Sequence, residues 1–274
     1  MPGYRCPACA AGLDADGSGF ECVNRHRFDR AREGYVNLLR GGRLTGRPPG
    51  DSEAMVRARR TVFDARLYRP VMEAVAEAVA ETIGVPEAVL DCGCGEGSYL
   101  GAVCARSGAG GWGVDISKPA IKLAARRHDA LHFAVASSYA LPFDDGAFQA
   151  AISVFSPRPF GEMMRVLAPG GAAILITPGR DHLREVKELI YDDPRAHAEP
   201  ADAADAADAA DAEWPPPFEV RSVRFDAHLD DPALRTALLE MTPFWWSAPP
   251  ARRQLVTDSA DVVTIDIRLT IHHR

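Results

Sequence analysis

Three cysteines and one histidine lie within the first 26 residues, in the stretch CPACAAGLDADGSGFECVNRH. Their spacing, C-x2-C-x12-C-x3-H, places two ligands on each side of a Gly- and Asp-rich turn, so that four ligands can reach one tetrahedral ion. Since protein groups would fill all four positions, the pattern predicts a structural Zn²⁺ held by Cys6, Cys9, Cys22 and His26. The alternative is a set of unrelated buried or incidental cysteines.

A second group of chemistry-bearing residues lies in the stretch LDCGCGEG, where an apolar strand gives way to a helix. Gly93, Gly95 and Gly97 allow tight backbone turns and close approach to a ligand. Asp91 ends this strand and Asp115 ends the next one. A carboxylate at the second position can accept both hydroxyls of a ribose, so the spacing predicts a nucleoside-containing cofactor.

The acids Asp91 and Glu96 distinguish two classes of cofactor. Carboxylates beside a dinucleotide pyrophosphate would repel it, whereas the ammonium group of S-adenosylmethionine can pair with a carboxylate. We therefore predict S-adenosylmethionine as the cofactor in preference to NAD.

The elements that must position these residues alternate along the chain. A helix is predicted from about Met72, and strands then alternate with helices, the fourth strand ending at Phe155. Nearly continuous apolar strands predict an α/β fold with a parallel sheet covered on both faces, next to a small N-terminal zinc-binding domain. Together with the predicted cofactor, this fold resembles the class I (Rossmann-like) methyltransferase sheet. Ligands in such folds lie beyond the carboxyl ends of the strands, where Ser137 and Ser138 also fall. The last two strands are predicted to complete the sheet as an antiparallel pair.

Charge is distributed unevenly along the chain. The net charge is −7, yet residues 1–70 carry 13 Lys and Arg against 8 Asp and Glu. A guanidinium can bind a phosphate through two hydrogen bonds, which favours an RNA or DNA partner, while the alternative is a solvated surface. A helix opened by Asp51 or Ser52 carries part of this charge. The arginines concerned are Arg25, Arg27, Arg30, Arg32, Arg40, Arg43, Arg47, Arg57, Arg59 and Arg60.

These patterns predict three regions. Residues 1–40 form a zinc-binding RNA-recognition domain, 41–71 a basic linker and helix, and 72–274 the methyltransferase domain. Within the last, an Ala-Ala-Asp tract at about 200–213 is predicted to be a solvated acidic loop. Trp245 and Trp246 either stack on a base or pack inside the protein.

The chain is expected in the cytoplasm. No apolar run is long enough to cross a membrane, and Cys6 precedes any signal-peptide core. In a reducing compartment the six cysteines are thiols or metal ligands.

Several motifs together resemble the RlmA family of bacterial large-subunit ribosomal RNA guanine-N1 methyltransferases. They are CPxC, C-x3-H, FDRAREGYVNLL, PGDSEAMVRARRTVFD, LDCGCGEG, ASSYALPF and MTPFWW. The resemblance runs from Cys6 to about His197 and resumes at Met241. The family's fourth-strand motif, commonly Tyr-Ala-Pro-Cys, is Phe-Ser-Pro-Arg here, and the Ala-Ala-Asp tract departs from the family.

The resemblance implies functions for particular residues. It places Tyr68, the glycine loop, Asp115 and His182 around the cofactor, and it makes the cysteine and histidine tetrad the zinc ligands of a domain that helps to hold RNA. It implies action on a hairpin of 23S ribosomal RNA, a link to macrolide resistance in some members, and a possible homodimer.

The reaction expected is methyl transfer to N1 of a guanine that is turned out of its stack. The sequence identifies no general base, and Ser156 and Trp245 are candidates for the base pocket only. Two other functions stay open: a small-molecule methyltransferase that keeps a structural zinc knuckle, and a noncatalytic RNA-binding protein.

Overall fold

The first strands of the chain form a small antiparallel sheet. In the computed structural model, which describes residues 1–39, 50–191, 217–242, 245–246 and 248–274, β1 (Leu13–Ala15) pairs with β2 (Gly19–Cys22), and β2 pairs with β3 (Arg27–Asp29). The β1–β2 turn is stabilised by Asp16, whose carboxylate accepts hydrogen bonds from the backbone N–H groups of Ser18 and Gly19. The β2–β3 turn carries the second pair of predicted zinc ligands.

The N-terminal segment continues into the large sheet. Strand β4 (Val36–Asn37) pairs in parallel with β7 (His132–Val135) and forms one edge of that sheet. The Leu38 N–H extends the pairing by donating to the Val135 carbonyl at 2.9 Å. Both Val36 and Leu38 are buried. The zinc-binding segment is therefore hydrogen-bonded to the methyltransferase sheet as well as packed against it.

The large sheet has eight strands in the order β10-β11-β9-β8-β5-β6-β7-β4. Its centre is parallel, while β11 is antiparallel to both β9 and β10. The predicted α/β class and the predicted antiparallel pair are both confirmed. The remaining strands are β5 (Ala88–Cys92), β6 (Gly110–Asp115), β8 (Phe148–Val154), β9 (Leu167–Pro178), β10 (Glu219–His228) and β11 (Val262–His273).

Successive residues of the central strands point to opposite faces, as the strand period requires. On β5, Val89 belongs to one buried cluster and Leu90 to the other. The cluster around Val89 receives apolar side chains from most of the helices. The cluster around Leu90 receives helix α5 (Phe160–Val166) and, from the zinc-binding segment, Tyr4 and Leu13. The sheet is thus covered on both faces, as predicted, but part of the second cover is the zinc-binding segment.

The helices begin where local chemistry allows. The side chain of Ser52 accepts from the N–H of Met55 and caps α1, which confirms one of the two predicted caps. Helix α2 begins at Arg69, three residues before the predicted start, because Pro70 is suited to the first helical turn. The remaining helices are α1 (Glu53–Asp64), α2 (Arg69–Ile83), α3 (Ser98–Ser107), α4 (Lys118–Arg127), α6 (Arg184–Ile190), α7 (Pro232–Glu240) and α8 (Pro250–Ser259).

Some predictions fall on residues outside the described ranges. These are the phosphate-binding roles of Arg40, Arg43 and Arg47 and the loop conformation of the Ala-Ala-Asp tract. Within the described chain, none of the helices is both long and apolar enough to cross a bilayer.

Candidate functional site

The four predicted zinc ligands converge at one point. One ligand atom from each of Cys6, Cys9, Cys22 and His26 lies within 4.8 Å of the other three. His26 Nδ1 is 3.6 Å from the sulfur of Cys6 and 3.4 Å from that of Cys22, and the Cys9 and Cys22 sulfurs are 3.7 Å apart. Zinc bonds of about 2.3 Å to sulfur and about 2.0 Å to nitrogen give tetrahedron edges of roughly 3.5–3.8 Å. The tetrad fits a tetrahedral Zn²⁺ that is bound entirely by protein.

The tetrad is attached to the catalytic part of the chain. The N–H of Arg5, next to Cys6, donates to the Pro142 carbonyl at 2.8 Å, and its guanidinium lies 3.0 Å from the Asp144 carboxylate. Tyr4 packs against Phe143 with ring centroids 5.4 Å apart. The zinc site and the loop between β7 and β8 therefore form one contact surface.

The glycine loop follows β5 and has the backbone conformation that its sequence predicts. Gly93, Gly95 and Gly97 all have positive φ, at 79°, 55° and 85°. A side chain at position 93 would also collide with Ser156, which packs directly against that glycine. The loop thus brings backbone N–H groups close to the carboxyl ends of β5 and β6.

Two carboxyls lie at these strand ends, Asp91 buried and Asp115 half-buried. Asp115 accepts hydrogen bonds from the N–H groups of Gly95, at 2.9 Å, and Ser117, at 2.7 Å. Asp91 is 1% exposed, and its Oδ1 has no hydrogen-bond partner in the described structure. Burial raises the pKa of both carboxyls, and the charge of Asp115 raises that of Asp91 further. A cationic ligand would compensate this pair, whereas a pyrophosphate would add to the repulsion, so the residues fit S-adenosylmethionine.

Glu96 has protein partners inside the same loop. Its carboxylate lies 2.9 Å from Arg127, at the end of α4, and 3.8 Å from Arg60 on α1. Glu96 is 1% exposed, and burial raises its pKa. The ion pairs fasten the glycine loop between two helices. Direct binding of the cofactor by Glu96 stays a prediction.

Arg59 lies beside the glycine loop, in the crevice bounded by that loop, Asp91 and Asp115. The sequence does not predict this position. Its guanidinium is 3.2 Å from the position that a Cβ on Gly95 would take, and it pairs with Asp51 at 2.6 Å. The arginine-rich pattern of this region predicts a phosphate ligand at position 59, as at Arg57 and Arg60. A signal was present, since Arg59 lies three residues from the buried Val56 and three from the buried Val62, on the inward face of α1.

Three aromatic rings, those of Tyr68, Phe155 and His182, form a cluster at the end of β8. Tyr68 is fully buried, and its hydroxyl is 3.5 Å from His182 Nε2. The His182 ring is stacked on Phe155 at a centroid distance of 5.9 Å. The structure therefore brings together Tyr68 and His182, 114 residues apart in the sequence, as the family resemblance implies. Strand β8 ends at Val154, one residue before its predicted end, because Phe155 adopts a left-handed φ of 51°.

The remaining site candidates are Ser138, Ser156 and Trp245. Ser138 lies in the turn after β7, beside Ser137, whose hydroxyl accepts from the Tyr139 N–H. Ser156 donates its hydroxyl to the Cys92 carbonyl at 2.6 Å. Trp245 is 7% exposed and packs under the guanidinium of Arg253, which agrees with the packing alternative for that residue.

The fold and the site define a class I S-adenosylmethionine-dependent methyltransferase with an N-terminal zinc ribbon. The family model described as the RlmA N-terminal zinc ribbon matches residues 4–40, and a methyltransferase domain model matches residues 89–171.

Relatives extend this relationship over nearly the whole chain. The Bacillus subtilis protein YxjB, named as a 23S rRNA (guanine-N1)-methyltransferase, is 35% identical over 98% of this chain and 96% of its own. The Streptomyces fradiae 23S rRNA (guanine(748)-N1)-methyltransferase is 41% identical over 68% of this chain and 67% of its own. A Micromonospora griseorubida protein, also named as a 23S rRNA (guanine-N1)-methyltransferase, is 37% identical over 74% of this chain and 76% of its own. The chain belongs to the RlmA family of 23S rRNA (guanine-N1)-methyltransferases.

Substituting one ligand tests the zinc site. The Cys22→Ala variant should lose a Zn²⁺ that the reduced wild-type protein holds at about one per chain. Because the zinc knuckle covers part of one face of the sheet, the melting temperature of the variant should also fall by about 5 °C or more. Metal analysis by mass spectrometry and thermal unfolding measure both effects. Cys104→Ala, a thiol on α3 outside the tetrad, is the matched control and should retain the ion. Equal zinc content in both variants would show that the tetrad is not a metal site.

Proposed function

We propose that this protein transfers the methyl group of S-adenosylmethionine to N1 of one guanine in 23S ribosomal RNA. The observation that carries the proposal is the relationship over 98% of the chain to a protein named for that activity. The zinc tetrad and the carboxylate-lined crevice support it, because the chain joins a cofactor site to a second site suited to holding RNA. The products are N1-methylguanine and S-adenosylhomocysteine. A link to macrolide resistance stays a prediction.

The crevice residues hold the cofactor through complementary groups. Bound S-adenosylmethionine supplies a methyl group that is already activated by its positive sulfur. Asp115 keeps unused lone pairs on both oxygens for the ribose hydroxyls, and Asp91 presents its unpartnered oxygen to the ammonium group. Tyr68, His182 and Ser138 complete the proposed set, with the glycine loop and Glu96 beneath it.

Arg59 adds a contact for the opposite end of the amino-acid tail. S-adenosylmethionine carries a carboxylate beside its ammonium group, and the Arg59 guanidinium lies next to the Gly95 backbone. Burial raises the pKa of Asp115, and the positive charge of Arg59 partly opposes that increase, as expected of a guanidinium near this carboxyl. The partner of Arg59, Asp51, is partly exposed and can be released to water when the cofactor carboxylate binds.

The protein must align guanine N1 with the methyl group and allow the N1 proton to leave. The nitrogen–carbon bond forms at N1 as the carbon–sulfur bond breaks, and the N1 proton departs to an acceptor or to solvent. Among the described residues no group is assigned as a general base, since the acids of the crevice are committed to the cofactor or to arginines. Holding the base in line with the methyl group is therefore the main contribution of the pocket.

The N-terminal arginines fall into two groups, those that form ion pairs with carboxylates and those that do not. Arg27 is surrounded by the carboxylates of Asp16, Glu21 and Asp29, so its charge is largely neutralised within the protein. In contrast, Arg25, Arg30 and Arg32 have no acidic partner among the described residues. The latter set provides the phosphate contacts in our proposal.

This assignment agrees with the proposed regions, in which residues 1–40 recognise RNA, 41–71 link, and 72–274 transfer the methyl group. The proposed partner is large-subunit ribosomal RNA, which a bacterial enzyme meets in the cytoplasm. A homodimer remains part of the proposal without a described interface.

Replacing Arg59 tests its contact with the cofactor. Arg59→Gln should weaken S-adenosylhomocysteine binding about 5- to 30-fold, because a charge-assisted hydrogen bond contributes roughly 1–2 kcal/mol at a partly exposed position. Isothermal calorimetry measures the affinity. Arg57→Gln, two residues away on the exposed side of α1, is the control and should bind normally. If both variants bind as tightly as the wild type, Arg59 has no function in cofactor binding.

A transfer assay tests the proposed reaction. Purified protein, S-adenosylmethionine labelled in its methyl group, and 23S ribosomal RNA from a bacterial strain lacking a related enzyme should yield labelled N1-methylguanosine after digestion to nucleosides. RNA from a strain that retains such an enzyme is the control and should accept less label, because its target is already methylated. Label in another nucleoside, or none in RNA despite cofactor binding, would refute the assignment and favour one of the two other functions.

A further inference from the structure

Phe155 has a backbone conformation that bulky residues avoid. Its φ is 51°, and it is the one aromatic residue with positive φ in the part of the chain that the structure describes. Its N–H donates to the Ile176 carbonyl at 3.0 Å, which fixes the turn at the end of β8. A left-handed conformation at a large side chain costs free energy, and such residues concentrate at functional sites. The strain directs the ring away from the path of the strand.

The ring of Phe155 contacts two other aromatic rings and is still largely open to solvent. His182 stacks on it at a centroid distance of 5.9 Å and an interplanar angle of 13°, and Tyr68 meets it edge-on at 6.3 Å. The residue is nevertheless 43% exposed. The contacts with His182 and Tyr68 therefore leave part of the ring available to a ligand. The result is a flat aromatic surface with a rigid backing.

This surface adjoins the cofactor loop. The next residue, Ser156, packs directly against Gly93 and donates its hydroxyl to the Cys92 carbonyl. The ring therefore lies at the carboxyl end of β8, immediately beside the end of β5. Tyr139 is also exposed, in the turn after β7, whereas Phe218 adjoins the edge strand β10.

We infer that Phe155 is the platform on which the target guanine stacks after it leaves the RNA helix, with His182 supporting the ring from behind. The inference rests on the proposed function and extends it to the recognition of the base. Stacking on a face holds the plane of a purine while leaving its N1 edge free, so the edge can point toward the methyl group. It also replaces the stacking energy that the base loses when it is turned out.

The geometry of His182 suits such a backing. Its Nδ1 accepts from the Asp266 N–H at 3.4 Å, while its Nε2 faces the Tyr68 hydroxyl. Contacts at both nitrogens fix the orientation of the imidazole, which keeps it parallel to Phe155. A platform on a fixed support loses little conformational entropy when a base binds.

Three substitutions at position 155 separate stacking from folding. Phe155→Leu keeps an apolar side chain without an aromatic face, Phe155→Trp restores an aromatic face, and Phe155→Gly accepts the left-handed backbone without strain. Phe218→Leu is the control for loss of an exposed phenyl ring. S-adenosylhomocysteine affinity and the melting temperature show whether each variant keeps its fold and its cofactor site.

The kinetic readout is kcat/KM for methylation of the 23S ribosomal RNA used above. Phe155→Leu and Phe155→Gly should lose about 10- to 100-fold, and Phe155→Trp should recover most of this loss, while S-adenosylhomocysteine affinity stays within about twofold. A hairpin carrying 2-aminopurine at the methylated position should also lose fluorescence quenching with Phe155→Leu. Quenching is a readout that a purely structural function would leave unchanged.

Several outcomes would overturn the inference. Near-normal kcat/KM in Phe155→Leu would show that no base stacks there, and a parallel loss of cofactor affinity would assign the ring to the cofactor site. If wild-type protein produces no N1-methylguanosine, the proposed function fails and the inference falls with it. If the wild type is active and Phe155→Leu and Phe155→Gly keep its kcat/KM, the inference is wrong but the proposed function stands.

Discussion

Two carboxyls that share one buried corner impose the main constraint on this molecule. Asp91 is the next-to-last residue of β5, which ends one residue later than predicted, and Asp115 is the last residue of the adjacent strand β6. Burial raises the pKa of each. Such a pair is costly unless hydrogen bonds or a cation compensate it. The glycine loop supplies one backbone N–H, that of Gly95, to Asp115, and Ser117 supplies a second, while one oxygen of Asp91 has no partner in the described structure. The unpartnered oxygen of Asp91 is therefore suited to binding a positively charged ligand.

The zinc-binding segment is more closely integrated than a separate recognition module would be. It contributes β4 to the edge of the large sheet and places Tyr4 and Leu13 in the core on one face of that sheet. It also touches the loop after β7 through Arg5. Packed side chains and backbone hydrogen bonds therefore connect the knuckle to the methyltransferase sheet.

Local sequence patterns predict much of the fold and of the candidate site. The features that they do not predict depend on contacts between segments far apart in the sequence. The zinc tetrad and the strand–loop–helix around Gly93 depend on spacing within a few residues, and β10 and β11 follow from alternation. Strand β4 has only two residues, too few for a periodic signal, and pairs with a strand almost 100 residues away. Composition likewise cannot distinguish an arginine that faces solvent from Arg60, which the fold places beside Glu96. The aromatic support of Phe155 joins segments that no local pattern connects.

Proton exchange on cofactor binding tests the central claim about the carboxyl pair most directly. Calorimetry of S-adenosylmethionine binding in buffers of different ionisation enthalpy counts the protons released. Burial raises the pKa of Asp91 in the free protein, and a cation beside it lowers that pKa, so binding should release a proton over the pH range in which the free carboxyl is protonated. The release should disappear in Asp91→Asn. An absence of proton release in the wild type at every pH above the ordinary range of a carboxyl, or an equal release in the variant, would contradict the account.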